Sequence, residues 1–277
     1  SSKVCCERHV IKVKTGGSDK VIRTAWNSGE ITEGTDSVAA EIAVALVYNG
    51  ISQVVMMATP NDLEDFALGF SLSEGILNSP KQLLDYEEIQ TDKGIELALT
   101  ITAEPFAALK ERRRNLVGRT GCGLCGAESL EQAITAPNSI SAELKVSHKA
   151  LQRAIAALGG KQQLQQQTGA VHGAAWCNAQ GEIQILREDV GRHNALDKLL
   201  GAISKQEQEA GFVLVTSRAS YEMVAKTASA NIPLLAAVSA PTSLAIELAE
   251  QSGLTLVGFS RTGRHVIYTN GYRLTEV

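Results

Sequence analysis

The C-terminal half of the chain alternates apolar segments with helix-like segments, and this alternation constrains the fold more than any other feature of the sequence. The apolar segments, which predict strands, are FVLVTS, PLLAAVSA, LTLVGFS and HVIYTN. Helices are predicted over about 147–158, from Gly191, from Ser220 and over TSLAIELAEQ. HGAAWCNAQGEIQILRED predicts a hairpin. Apolar strands separated by helices predict a mostly parallel sheet that is covered on both faces.

The N-terminal half predicts a smaller α+β arrangement. IAVALVYNGISQVVMMAT predicts two strands joined at Asn49-Gly50, because this dipeptide favours the left-handed turn of a hairpin. A helix is predicted next, with Asn61 and Asp62 as capping candidates. A strand over ELALTITAE and a helix over PFAALKERRRNL follow. The polar segment ITAPNSISAELKV is the best candidate boundary, so we expect one domain over residues 1–140 and a second over 141–277.

Charge and length exclude several classes of protein. The 277 residues are 44% hydrophobic, which is enough for a substantial core. Lys and Arg number 26 against 30 Asp and Glu, a net charge of -4, and this argues against general nucleic-acid binding. No window approaches the apolar length of a membrane span, and SSKVCCERHVIKV lacks the pattern of a secretory signal. We therefore expect a cytosolic protein whose anion sites are local.

The stretch GRTGCGLCGAE holds Cys122 and Cys125 among four glycines. A structural zinc site needs four ligands, and this is the single Cys-x-x-Cys of the chain, with Cys177 and His172 as residues that could complete it. A thioredoxin-like dithiol needs a fixed geometry at a helix start, which a glycine-rich segment supports poorly. A pliable segment instead suits a carrier that accepts a sulfur atom as a persulfide and moves it to a second site.

Positive charge precedes the cysteine pair. From Lys110 to Arg119 the chain carries five basic residues against the single Glu111. Nearby positive charge lowers a thiol pKa from about 8.5 into the range of about 3.5–7.5 and so favours the nucleophilic thiolate. The alternative is that KERRR is the solvated face of a helix, and its position next to the cysteines favours a function.

Three segments follow predicted strands and are candidates for anion binding, because ligands of open α/β sheets bind beyond the carboxyl ends of strands. They are TSRAS (216–220), SAPTS (239–243) and GFSRTGR (258–264). In the last, Arg261 and Arg264 surround Gly263 together with the hydroxyls of Ser260 and Thr262, a set of groups typical of phosphate binding. The alternative is a charged turn between two strands.

EDVGRHNALDK contributes weaker candidates. Asp189 is predicted to cap a helix, and His193 and Asp197 are spaced to share one helical face. A lone histidine in a first turn is more often structural than catalytic. Arg192 and His193 are therefore second-rank site candidates.

Six segments together resemble the formate dehydrogenase accessory sulfurtransferase family (FdhD/NarQ). They are collinear over roughly residues 40–270, which makes the set specific although no single segment is. The segments are ALVYNGISQVVMMATPNDLEDFALGFSLSEGI, GRTGCGLCG, EDVGRHNALDKLLG, SRASYEMVAKTA, AVSAPTSLAIELAE and LTLVGFSRTGRHVIYT.

The resemblance implies a cytoplasmic sulfurtransferase. It would take sulfur from a cysteine desulfurase as a persulfide and deliver it to the molybdenum cofactor, molybdenum bis(molybdopterin guanine dinucleotide), of formate dehydrogenase. By the resemblance, Cys122 is the persulfide carrier and Cys125 its partner on the same loop. The implied cofactor contacts are Phe259, Ser260, Arg261, Thr262, Gly263 and Arg264. The resemblance also implies a homodimer, apo-formate dehydrogenase as a partner, and no permanently bound metal.

The C-terminal half of the family resembles the cytidine-deaminase-like fold, so the implied fold is a three-layer α/β domain with a mixed sheet beside the smaller N-terminal α+β domain. Deaminases of that fold bind zinc through His-x-Glu and Pro-Cys-x-x-Cys at two helix starts. Here the corresponding starts are GRHNALD and SRASYEM, which lack that glutamate and those cysteines. We therefore expect no deaminase activity.

Two alternatives to sulfur transfer stay open from the residues. One is a non-catalytic chaperone that binds the molybdenum cofactor or the apo-dehydrogenase and uses its cysteines for contact. The other is a zinc-dependent nucleotide enzyme.

Overall fold

The computed structural model describes residues 16–117 and 139–276, without the side chains of 113–117. Its strands are β1 (Ser18–Asn27), β2 (Glu30–Ala39), β3 (Ile42–Tyr48), β4 (Ile51–Ala58), β5 (Leu83–Thr91), β6 (Gly94–Ile101), β7 (Val146–Ser147), β8 (His172–Asn178), β9 (Ile183–Asp189), β10 (Gly211–Val215), β11 (Leu234–Ala237), β12 (Thr255–Arg261), β13 (Arg264–Thr269) and β14 (Leu274–Thr275). Its helices are α1 (Leu63–Ser73), α2 (Ala103–Val117), α3 (His148–Lys161), α4 (Gln163–Thr168), α5 (Arg192–Ser204), α6 (Tyr221–Ser229) and α7 (Ser243–Ser252).

A six-stranded sheet forms the centre of the C-terminal half. Its strand order is β13-β12-β11-β10-β8-β9, with β10, β11 and β12 parallel to one another and the outer strands antiparallel. The prediction of a mostly parallel sheet was therefore wrong for the outer strands. β8 and β9, like β12 and β13, are joined by short turns, and a parallel pair needs a long crossover instead.

Helices cover both faces of this sheet, as the alternating pattern predicts. On one face α5, α6 and α7 bury Leu196, Met223 and Leu248 against β10, β11 and β12. On the other face α3 buries Leu151 and Leu158 in a second apolar cluster. Both layers stabilise the domain, because each Å² of apolar surface removed from water contributes about 25 cal/mol.

A four-stranded sheet of order β4-β3-β6-β5 forms the N-terminal half. Asn49 and Gly50 have φ angles of 45° and 80°, which confirms the predicted left-handed turn between β3 and β4. The amide of Asn49 also bonds both backbone groups of Ile101, at 2.8 and 3.1 Å, and so fixes this turn to the end of β6. Phe66 of α1 is fully buried in the core beneath the sheet.

β1 and β2 pair along ten positions and form a ribbon whose Trp26 is 70% exposed. No motif in the sequence predicts a role for this ribbon. Among the described residues, no helix combines the length and the apolar character that crossing a membrane requires.

Two capping predictions were wrong. Asp62 occupies the N-cap position of α1 in a left-handed conformation, but its side chain accepts no capping hydrogen bond. The side chain of Asn61 instead accepts a hydrogen bond from Lys198 Nζ at 3.1 Å. Gly191, and not Asp189, is the N-cap of α5. Each of these carboxylates has one partner in the other half of the chain, Arg187 for Asp62 at 3.6 Å and Thr59 for Asp189 at 3.0 Å, and short-range patterns do not contain such contacts.

The two halves meet where α1 packs on α5. Helix α1 can approach this closely because Gly69 faces the backbone of Asp197 and Gly201 faces the backbone of Asp65, and a Cβ at either glycine would overlap a carbonyl oxygen. Arg187 crosses the same interface to pair with Asp65 at 2.8 Å. Small residues at this contact thus let the helices cross at short range.

Two buried ion pairs of the C-terminal half also contact the N-terminal half, through hydrogen bonds to Thr59 and Ser73. Lys198 Nζ lies 2.7 Å from Asp189 Oδ2, and both side chains are 0% exposed. Lys226 Nζ lies 3.0 Å from Asp197 Oδ1, which also accepts a hydrogen bond from Ser73 at 2.7 Å. The predicted face shared by His193 and Asp197 therefore does not form a pair, because Asp197 turns toward α1 and α6.

Candidate functional site

The three segments predicted to bind anions meet at the carboxyl edge of the six-stranded sheet. Segment 216–220 follows β10, segment 239–243 follows β11, and segment 258–264 contains the end of β12 and its turn. Backbone hydrogen bonds join neighbouring segments: Thr242 N–H to Ala219 O (3.0 Å), Ala219 N–H to Ala240 O (3.3 Å), and Phe259 N–H to Ser239 O (3.1 Å). The three candidate segments therefore lie side by side at one edge of the sheet.

A bulge in β12 determines which side chains of the third segment face outward. The register with β13 shifts between Gly258 and Arg261, and Phe259 has a φ angle of 49°. A non-glycine residue in this region costs of order 1 kcal/mol or more and persists where the surroundings require it. Gly258 permits the close packing, since a Cβ there would lie 2.8 Å from Pro241 Cδ. The strand thus leaves its regular path at the predicted contact residues.

The bulge turns Ser260 inward. Its side chain is 1% exposed, and its Oγ has no hydrogen-bond partner among the residues that the structure describes. A buried hydroxyl without a partner costs about 1–3 kcal/mol. A ligand atom that accepts or donates at this point would recover that cost, which makes Ser260 a fitting contact for a polar ligand.

The arginine turn, residues 261–264, is exposed and basic. Arg261 and Arg264 are paired across the turn, and Gly263 has a φ angle of 78°. Within the described residues, neither guanidinium forms an ion pair, and that of Arg264 lies 5.8 Å from the centre of the Phe259 ring. Two arginines paired across a turn, with no ion-pair partner among the described residues, give this turn a local positive charge that favours an anion.

A second group of side chains lies at the same edge, near the start of α5. β8 begins at His172 and β9 ends at Asp189, and these two residues are paired. Burial, followed by the charge of Arg192, lowers the pKa of His172 and of His193 below the ordinary histidine value. Both imidazoles are therefore neutral at pH 7, where they can donate and accept hydrogen bonds.

The side chain of Arg192 contains a buried nitrogen atom. Its Nε is buried and lacks a hydrogen-bond partner among the described residues. His193 Nε2 lies 3.1 Å from Glu222 Oε2, which also accepts a hydrogen bond from Ser220 at 3.2 Å. Arg192 and His193, second-rank candidates from the sequence, thus lie beside the segment 216–220.

The buried pair behind this group positions it. Asp189 Oδ1 accepts hydrogen bonds from Gly191 N–H at 2.8 Å and from the Asn194 amide at 3.1 Å. Its other oxygen accepts from Thr59 N–H at 3.0 Å and pairs with Lys198. Sequence reasoning missed this arrangement, because Thr59 and Asp189 are 130 positions apart.

Cys122 and Cys125 lie outside the described residues. Before them, the Arg112 guanidinium of α2 donates to Gly75 O at 3.3 Å. After them, Ile140 N–H donates to Ser252 O at 2.9 Å, and Ser141 N–H donates to Asn231 Oδ1 at 2.9 Å. Ser252 and Asn231 precede β12 and β11, so the chain re-enters the described fold at the amino edge of the sheet.

Cys177 and His172 do not combine into half of a zinc site. They lie on β8, where Cys177 packs toward α3 and its neighbour Trp176 toward α5. Cys177 is fully buried, and burial raises the pKa of its thiol to about 12. Cys177 is thus a small apolar residue of the core. Among the described residues there is no cluster of three or more His, Cys, Asp and Glu that could hold a metal.

The fold and the site define a mixed α/β protein with basic and hydroxyl groups at the carboxyl edge of its central sheet. A model of the FdhD/NarQ family matches residues 39–275. The chain belongs to the FdhD/NarQ family.

Relatives match over most of their length. A protein of Cupriavidus necator named sulfur carrier protein FdhD is 55% identical over 251 residues, which are 90% of this chain and 87% of the relative. A protein of the same name from Xanthomonas campestris pv. campestris (strain B100) is 53% identical over 258 residues, 92% of each chain. A crystal structure described as a candidate formate dehydrogenase accessory protein from Desulfotalea psychrophila has a TM-score of 0.72 at 26% identity, covering 94% of this chain and 100% of that one.

Proposed function

We propose that this chain is a sulfur carrier in the maturation of formate dehydrogenase and that it acts as a sulfurtransferase. The observation that carries the proposal is the match to relatives named sulfur carrier protein FdhD, at 53–55% identity over 90–92% of the chain. The basic, hydroxyl-lined edge of the central sheet supports it, because the molybdenum cofactor proposed as the acceptor of the sulfur contains pyrophosphate groups.

The first step of the proposed transfer is a thiolate attack. The Cys122 thiolate attacks the outer sulfur of a persulfide on a cysteine desulfurase. The sulfur–sulfur bond of the donor breaks, the donor cysteine leaves as a thiolate, and Cys122 becomes the persulfide. Cys125 is proposed as its partner thiol. The exchange needs no external oxidant or reductant, because one thiolate replaces another.

The second step is delivery to the molybdenum bis(molybdopterin guanine dinucleotide) cofactor, which is the substrate of the transfer. Arg261 and Arg264 are proposed to bind its phosphates, with the Ser260 and Thr262 hydroxyls and the Gly263 backbone as further contacts. The site fits such a group, since the two guanidinium groups lack ion-pair partners among the described residues and the Ser260 hydroxyl is unpaired. Phe259 offers a ring face beside Arg264.

The phosphate contact can be tested with GDP as the probe, by isothermal titration. Arg261→Ala and Arg264→Ala should each weaken GDP binding by about five- to thirtyfold, which corresponds to about 1–2 kcal/mol for a charge-assisted contact at an exposed site. Arg153→Ala is the matched control, because Arg153 is an exposed arginine on α3 outside the turn. Equal affinity in all three variants would contradict the assignment.

A non-catalytic chaperone is the second candidate, because cofactor binding at the carboxyl edge does not by itself require sulfur transfer. Complementation of a deletion strain separates the two. A sulfur carrier with Cys122→Ser should leave formate dehydrogenase inactive although the variant still binds GDP. A chaperone with the same substitution should restore the activity.

The domain architecture, the partners and the oligomeric state are also proposed. The mixed sheet between α3 and the layer of α5, α6 and α7 supports a cytidine-deaminase-like three-layer domain over 141–277, with an α+β domain over 1–140. A cysteine desulfurase and apo-formate dehydrogenase are the proposed partners, in the cytoplasm. A homodimer is proposed from the family resemblance, and sedimentation velocity tests it directly.

A further inference from the structure

A chain of hydrogen bonds connects the arginine turn to two histidines. Gly263 N–H donates to Gln152 Oε1 at 2.7 Å. The other end of the same amide, Gln152 Nε2, lies 2.9 Å from His265 Nδ1. His265 Nε2 in turn lies 2.9 Å from His148 Nδ1. This chain of hydrogen bonds runs from the turn through Gln152 of α3 and His265 of β13 to His148, the first residue of α3.

The direction of every bond in this chain follows from its first member. A backbone N–H can only donate, so the oxygen of the Gln152 amide must face Gly263 and its nitrogen must face His265. His265 Nδ1 therefore accepts, which places the ring proton of the neutral imidazole on Nε2. His265 Nε2–H then donates to His148 Nδ1. The neutral state of both rings is the state that holds the turn.

We infer that Gln152 is a positioning residue for the arginine turn and that a proton on the pair His148–His265 releases the turn from it. An effect of this release on phosphate binding rests on the proposed function of the turn. The link between ring protonation and the hydrogen bond of Gly263 does not depend on it. At neutral pH the amide fixes the backbone between Arg261 and Arg264. At acidic pH this attachment is lost.

Protonation of either ring has the same effect. If His265 carries the additional proton, its Nδ1–H faces the Gln152 amide as a donor and conflicts with the Nε2 donor. If His148 carries it, His148 Nδ1–H faces His265 Nε2, and His265 can accept only by moving its own proton to Nδ1. In both cases the Gln152 amide must rotate, which places its nitrogen against Gly263 N–H.

The surrounding charges are positive. Lys149 of α3 and Arg264 of β13 line the same cavity of about 490 Å³ as the two histidines, and Arg261 lies across the turn on β12. The described residues that line this cavity include no carboxylate that could stabilise an added proton. The rings are stacked with their centres 5.1 Å apart. Burial and then the neighbouring His148 lower the pKa of His265, so release occurs below the ordinary histidine value of about 6.5.

The Gly263 amide resonance reports this coupling in the full chain without any ligand. Labelling with carbonyl-¹³C threonine and ¹⁵N glycine selects Thr–Gly pairs, of which the sequence contains four: 15–16, 120–121, 168–169 and 262–263. From pH 8 to pH 5 the Gly263 signal should shift with the same midpoint as the ring signals of His265. Its hydrogen exchange, corrected for the intrinsic pH dependence, should accelerate by about fivefold when the hydrogen bond is lost.

Gln152→Leu is the decisive variant, and Gln166→Leu on α4 is its matched control. Gln152→Leu should give a Gly263 signal that starts near the acidic position and no longer follows pH, whereas Gln166→Leu should behave as the unmodified protein. The inference is overturned if Gly263 does not respond while the histidine rings titrate, or if it responds equally in Gln152→Leu. GDP titration at pH 7.5 and pH 5.5 then tests the phosphate contact separately. A Gly263 signal that responds to pH in a protein that does not bind GDP would contradict only the proposed function.

Discussion

Replacing Lys198 by Met should destabilise the protein severely. The Lys198 ammonium is buried and contacts Asp189 Oδ2 at 2.7 Å, Thr59 O at 2.9 Å and Asn61 Oδ1 at 3.1 Å. Methionine matches the length of the lysine stem but leaves the Asp189 carboxylate buried without its cation. Removing one partner of a buried pair costs about 3–5 kcal/mol, a large part of a typical total of about 5–15 kcal/mol.

Urea unfolding monitored by tryptophan fluorescence measures this loss. Lys205→Met is the matched control at the C-cap of the same helix, because Lys205 is 34% exposed while it pairs with Glu64 and Asp65. An ion pair at such a site contributes about 1 kcal/mol or less. The midpoint of Lys198→Met should therefore fall well below that of the control.

A double variant separates the lost charge balance from lost packing. Asp189→Asn in the Lys198→Met protein removes the uncompensated carboxylate and should recover part of the stability. Equal midpoints for Lys198→Met and Lys205→Met would refute the reasoning. A double variant less stable than Lys198→Met alone would show that the carboxylate bonds to Thr59 and Gly191 outweigh the burial of its charge.

Two further predictions concern the helix crossing and the histidines. Gly69→Ala should lower the free energy of unfolding by about 1–3 kcal/mol or more, because the added Cβ would overlap a carbonyl oxygen of α5. Its control is Gly160→Ala on the open face of α3, which should raise the free energy of unfolding by up to about 1 kcal/mol in the same urea assay. Burial lowers the pKa values of His172 and His193, so these histidines bind protons less readily in the folded protein than in the unfolded chain. The free energy of unfolding should therefore be constant at higher pH and fall as the pH drops below about 6.5, the histidine pKa in the unfolded chain. Urea midpoints at pH 7.5 and pH 5 check this, and a rise in stability toward pH 5 would contradict it.

Local patterns were sufficient for much of the fold. The Asn49-Gly50 turn follows from the preference of those two residues for left-handed backbone, and the helix starts at Gly191 and Ser220 lie where the patterns predict them. The meeting of three loops at one sheet edge follows from the parallel direction of β10, β11 and β12.

What the sequence could not predict depends on contacts between distant positions. Asp189 and Lys198 are close in sequence, but both also bond the backbone of Thr59, which lies in the other half of the chain. The chain from Gly263 through Gln152 to His148 joins positions more than 100 residues apart. No spacing rule signals such contacts, because they arise only when α3 packs on the sheet.

Mass spectrometry of the purified protein after incubation with a cysteine desulfurase and cysteine decides whether this chain carries sulfur. We expect one added sulfur on the peptide that contains Cys122 and Cys125, its loss in Cys122→Ala, and none on the peptide of Cys177, whose buried thiol has a raised pKa of about 12. Undiminished sulfur on the Cys122→Ala protein would contradict the assignment, and no added sulfur on the unmodified protein would contradict the claim that this chain carries sulfur.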